Sequence, residues 1–170
     1  MWKSDERGFL ALGIGLPLWT AAFLCLGGCF LSYMHMVLME KADLELSQEI
    51  HTAMQMMLTD AAEAQGIKLT GYGGEPVLRF HKAERDFSGW TDVTYLVRKR
   101  DGRQRLYRGH TDPQGFQPLT GDNLLGRVEI DTFERTILPS GAVHVRLGGR
   151  SVRTGHRVEQ TAEFPRQVIR

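Results

Sequence analysis

The residues best suited to chemistry here are one glycine-flanked serine, six histidines, two cysteines and a run of arginines. Gly149-Arg150-Ser151-Val152-Arg153 begins like the turn that exposes a nucleophilic serine, but Arg153 stands where that turn needs its closing glycine. Gly13-Ile14-Gly15-Leu16-Pro17-Leu18 lacks the third glycine of a dinucleotide loop and lies in an apolar run. His35, His51, His81, His110, His144 and His156 show no metal-ligand spacing, and no HExxH is present. The expectation is therefore a non-enzymatic chain with no catalytic residue, no metal and no cofactor. Two groups remain. Cys25 and Cys29 share one helix face with Ala21, and Arg98, Lys99, Arg100, Arg103, Arg105 and Arg108 crowd a short segment.

The element that holds the cysteines is an apolar run. Residues 9 to 33 carry no charge over 25 positions. At ~1.5 Å per residue that is roughly 38 Å of helix, enough for a hydrocarbon core of ~30 Å. Seven of these residues are Gly, Pro or Cys, which membrane helices tolerate. Nothing downstream is large or apolar enough to wrap such a helix in a soluble core. Lys3 and Arg7 precede the run and only Lys41 follows closely, so the N-terminus is expected in the cytoplasm and the rest outside. With both cysteines in the run, the exported part cannot form a disulfide or a thiolate metal site.

The helix should continue past the membrane. Met39, Ala42, Leu46, Ile50, Ala53, Met57 and Ala61 recur in steps of three or four, with Lys41, Glu45, Gln48, Gln55 and Glu63 opposite. This predicts one helix from Phe9 to Gln65, about 85 Å long at the same rise, with Gly66 as terminator. Pro17 and Gly27-Gly28 are the expected kink points. From Gly66 onward the chain carries 18 Lys and Arg against 12 Asp and Glu, whereas residues 34–65 are acidic. Strands are expected at Val77–His81, Val93–Arg98, Arg105–Gly109, Leu125–Ile137, Ala142–Leu147 and Val158–Phe164. Asp101-Gly102 should turn the first hairpin and Leu138-Pro139-Ser140-Gly141 the second. Val128, Ile130 and Thr132 alternate with Glu129 and Asp131, as a sheet with one covered face requires. The predicted fold is α+β: a long N-terminal helix whose amphipathic half packs on a small antiparallel sheet. It divides into a leader (1–8), a transmembrane helix (9–33), an amphipathic helix (34–65) and a β-rich domain (66–170).

A short charged leader that ends at Gly8, with the apolar helix starting at Phe9, resembles a type IV prepilin. Tyr95-Leu96-Val97, Leu106-Tyr107-Arg108, Pro118-Leu119 and Asn123-Leu124-Leu125-Gly126-Arg127-Val128 follow in an order similar to PilW-like minor pilins, J-type secretion pseudopilins and ComGF-like competence pseudopilins. The resemblance implies that a prepilin peptidase cuts after Gly8 and that Phe9 is then N-methylated. It also implies that Gly13, Pro17, Ala21, Cys25 and Cys29 lie on a helix that packs against other minor subunits and the major subunit in a filament. One position departs from the pattern. The family's usual Glu at the fifth mature residue is Gly13 here, which fits a subunit that primes or caps the filament.

Two other readings stay open. Leu26-Gly27-Gly28-Cys29 resembles a lipobox, which would make Cys29 an acylated N-terminus, although the apolar stretch before it exceeds the usual 7–15-residue signal core. A single-pass anchored binding or scaffold domain unrelated to pili is the second. The arginine cluster at residues 98–105 is a candidate contact for DNA phosphates, against a competing role as a solvated, aggregation-resistant sheet edge.

Overall fold

A single helix, α1 (Lys3–Glu63), opens the chain. The computed structural model describes residues 3–72, 75–83, 90–110, 115–121 and 128–165. The chain divides into two units, residues 1–40 and Lys41–Arg170, and the helix assignment runs through both. It also runs unbroken through Pro17 and Gly27-Gly28, so neither melts the helix. Gly15–Glu63 qualifies as a helix long and apolar enough to cross a membrane, and its apolar window buries none of its surface in the protein.

In the second unit, Leu46, Ile50, Ala53 and Met57 fall on one face of α1 and are completely or almost completely buried. They meet two antiparallel sheets, so the fold is α+β. The first sheet has the order β1 (Ala64–Tyr72), β2 (Glu75–Ala83), β3 (Trp90–Arg100), β4 (Arg103–His110), β5 (Gly115–Pro118). The second has the order β6 (Val128–Ile137), β7 (Val143–Ser151), β8 (Arg157–Phe164). Each expected strand falls within one of these, except that Ala142 precedes β7 and residues 125–127 lie outside the described residues. The expected single sheet is therefore split in two.

β1 corrects the expected helix end. The strand begins at Ala64, directly after Glu63, and Gly66 sits at a pairing irregularity instead of capping the helix. The reason is tertiary. Ile67 pairs with Phe80 and Leu69 with Leu78, which aims both apolar residues at the core. β5 was also unexpected; its four residues pair only with Tyr107–His110 of β4.

Asp101 and Gly102 both have positive φ, 52° and 80°, the primed-turn geometry that matches strand twist in a two-residue hairpin. The second hairpin turns at Leu138–Gly141, with Gly141 at φ 81° and its N–H donating to Leu138 O at 2.8 Å. An irregularity between Ile130 and Thr132 corrects the expected alternation in β6. The extra residue turns Thr132 away from the core, opposite Gly148, and lets Phe133 face inward opposite Leu147. Phe80 ties the two sheets together, meeting Tyr95 and Phe164 edge-on at 5.7 and 5.8 Å between ring centres.

Candidate interaction surfaces

The first unit presents apolar side chains outward. Leu18, Phe23, Leu24 and Leu31 are each 68–77% exposed. Gly13, Pro17, Ala21, Cys25 and Cys29 are all exposed, and a Cβ at Gly13, Gly27 or Gly28 would meet nothing within 4 Å. Both cysteines are free thiols. Thr20 Oγ1 donates to Pro17 O at 2.8 Å, so its hydroxyl is satisfied within the helix and costs little in an apolar medium. Gly8 and Phe9 belong to helical backbone, and the Phe9 side chain lies outside those described. Such a surface fits lipid or the close approach of other helices.

The second unit contains a buried polar cluster that the sequence reading did not find. Asp60, 4% exposed, lies on the buried side of α1 three residues after Met57. Lys82 Nζ donates to its Oδ1 at 2.7 Å. Arg108 donates from Nε to Oδ2 at 2.8 Å and from Nη2 to Oδ1 at 3.0 Å, and the Tyr95 hydroxyl also donates to Oδ2. Lys82 further bonds Glu63 at 2.7 Å. Burial alone would push the Asp60 carboxyl up, but the bonds from Arg108, Lys82 and Tyr95 outweigh it and hold the group below the usual range. Burial and the bond to Asp60 push the Tyr95 hydroxyl the other way, so it stays a donor. A carboxylate already filled by four bonds makes a poor general acid or base. It clamps α1 to β2, β3 and β4. The signal was an acid placed among Ala53, Met57 and Ala61 on the apolar face.

Beside the clamp, His51, Thr52, Gln55, Met56, Thr59, Asp60 and Arg108 line an open cleft of about 390 Å³. Its helical wall exposes Thr59, whose hydroxyl is already bonded to Gln55 O at 3.0 Å.

The arginine cluster has a definite geometry. β2 pairs with β3 only as far as Leu96, and β5 pairs with β4 only from Tyr107 onward. Among the described strands, residues 97–106 therefore pair only with each other, while Val97 and Leu106 pack on the core and Leu106 bonds Leu119 and Thr120. Arg98 stands opposite Arg105, and Arg100 opposite Arg103, while Lys99 faces Gln104. These residues belong to β3 and β4, interior in the sheet order, but over this stretch each has only the other as a described strand neighbour, so their outer edges are open there. β5 places Phe116 under Arg98, with the guanidinium carbon 5.1 Å from the ring centre. Arg108, counted with this cluster in the sequence, turns instead to Asp60.

No family model matches this chain, and neither a curated protein nor a solved structure matches it.

Several other polar groups are engaged with one another. Ser151 is buried and its Oγ accepts the Thr154 N–H at 3.3 Å, a turn bond that leaves no exposed nucleophile. His81 Nδ1 lies 2.6 Å from Asp92 Oδ1, and His144 lies 3.6 Å from Glu163. Among the described residues no three His, Cys, Asp or Glu side chains are grouped to hold a metal. The outer face of the second sheet is a ladder of ion pairs. Arg150 meets Glu129 at 2.9 Å, Arg157 meets Asp131 at 3.0 Å, and Arg146 meets both Glu134 and Glu159.

Proposed function

We propose that the chain is a minor pilin or pseudopilin, a non-enzymatic subunit that primes or caps a type IV pilus-like filament serving secretion, adhesion and motility, or DNA uptake. The observation that carries this reading is the double use of one helix. Within α1, an exposed apolar segment is followed by a stripe, Leu46 to Met57, that lies in the core of a β-rich domain. A subunit built this way can leave the bilayer and bury the same apolar segment among neighbouring helices without unfolding its domain. The Gly8-Phe9 junction supplies the processing signal, and Gly13 in place of the customary Glu suits a subunit with no layer above it. The basic residues before the apolar run favour a cytoplasmic N-terminus and an extracytoplasmic domain in the cytoplasmic membrane.

A charge in the middle of the apolar segment tests the proposal. Leu24→Arg should cost at least ~2.5–3.5 kcal/mol at the bilayer centre and abolish stable insertion or filament incorporation. Wild-type incorporation of that variant would defeat the reading. An anchored scaffold domain outside any filament predicts instead that deleting the prepilin peptidase leaves the chain's N-terminus and distribution unchanged.

A further inference from the structure

We infer that the β7–β8 turn, residues 151–156, is a lipid-contacting tip that seats on phospholipid headgroups beside the anchor, with Val152 entering the interface and Arg153 binding phosphate. The inference rests on the reading that α1 spans a membrane, and it is separate from filament assembly. It starts from where the turn is fastened. The Thr154 hydroxyl donates to Asp43 of α1. Asp43 comes only four residues after Met39, which is ~6 Å of helical rise. Met39 in turn closes an apolar series, residues 34–39, that only His35 interrupts. Glu40 and Lys41 are the first Asp, Glu, Lys or Arg after Arg7, so the headgroup layer begins at about their level. That layer is roughly 5–8 Å deep on each side of the hydrocarbon core. A turn bonded to Asp43 is therefore within reach of it.

The turn holds its own backbone and presents its side chains. The Ser151 N–H donates to His156 O and the Gly155 N–H to Ser151 O, each at 2.8 Å. The Thr154 N–H is taken by Ser151 Oγ at 3.3 Å and the His156 N–H by Thr154 Oγ1 at 3.1 Å. Four backbone donors are thus bonded within the turn, which lowers the cost of approaching a poorly hydrated interface. Val152 is 43% exposed and Arg153 is exposed beside it. Beyond Glu63, Val152 and Ile137 are the only large apolar side chains left exposed among the described residues. Two side chains would bind a membrane weakly from free solution. The anchor changes that, because it makes the contact intramolecular and raises its effective concentration. Arginine suits the position, since its fork binds phosphate oxygens bidentately while its stem lies along apolar surface. Seated this way, the domain keeps one orientation on the bilayer.

The test uses the full chain reconstituted in vesicles of phosphatidylcholine and phosphatidylglycerol. Cys25→Ser and Cys29→Ser remove the native thiols, and Val152→Cys or Gln65→Cys then carries a fluorescent label. Gln65 is the comparison site, because it is exposed and follows the end of α1, about 30 Å of helical rise beyond Asp43. Lipids that carry a spin label near the headgroup should quench the Val152 label at least about twofold more than the Gln65 label, given that separation. Arg153→Glu should lower quenching at Val152 to the Gln65 level, and Arg153→Lys should keep most of it. Unaltered circular dichroism would show that each variant is folded. Equal quenching at the two sites, in chain that floats with the vesicles, would overturn the inference and leave the anchor standing. Unchanged quenching in Arg153→Glu would overturn the phosphate contact. A chain that does not float with the vesicles would refute the anchor, and the inference with it.

Discussion

Replacing Asp60 by Asn removes the charge on which Lys82, Arg108 and Tyr95 converge, and the structure sets the size of the loss. The Asp60 side chain is 5% exposed, so its bonds at 2.7, 2.8 and 3.0 Å are poorly screened. Removing one partner of a fully buried ion pair costs about 3–5 kcal/mol, because the remaining charge is stranded. Two features reduce that figure. The Arg108 side chain is 29% exposed and can recover water, and Lys82 keeps Glu63. About 2–3 kcal/mol is therefore expected for Asp60→Asn. Glu63→Gln provides the control. It removes a second carboxylate from the same lysine, but Glu63 is 61% exposed in the last turn of α1, where an anion opposes the helix dipole. Its loss should cost under ~1 kcal/mol. Urea unfolding of the full chain in mild detergent, followed by near-ultraviolet circular dichroism, measures both. A shift for Asp60→Asn no larger than that for Glu63→Gln would refute the clamp.

The clamp also predicts an acid limit. The folded Asp60 carboxyl titrates below its ordinary 3.8, so the unfolded chain binds more protons in that range. The clamp's stabilisation is complete above about pH 5 and is lost as pH falls through the depressed folded value, so urea midpoints of wild type and Asp60→Asn should converge below about pH 4. Gly149→Ala should cost about 1–3 kcal/mol by overpacking, because its Cβ would lie 2.9 Å from Ile50 Cδ1. Ile50→Val removes that methyl, so the alanine should cost less in an Ile50→Val background, as a double-mutant cycle in thermal unfolding would show. Met57→Ala, at a fully buried stripe position, should lose about 2–5 kcal/mol by the same measurement.

The parts of the fold legible in the sequence were those governed by local pattern. The spacing of Leu46, Ile50, Ala53 and Met57 gave the buried helix face, and Asp101-Gly102 gave the hairpin turn because few residues accept positive φ. β1 was hidden because Ala64 and Gln65 are good helix formers, and only pairing with β2 overrides that preference. The inserted residue near Asp131 was equally invisible. Strict alternation continues through Thr132, and only the partner strand shows that Phe133 takes the inner face. Long-range partnership also explains the misses at the surfaces. Asp60 acquires meaning from Lys82 and Arg108, 22 and 48 residues away, and Arg98 from Phe116 on a four-residue strand with no pattern of its own.

The mature N-terminus tests the central claim most directly. Chain purified from membranes is digested, and the N-terminal peptide is identified by mass. A peptide that begins with N-methylated Phe9 is the result predicted for a processed pilin-like subunit. An intact Met1, or an acylated Cys29 as the first residue, would contradict it.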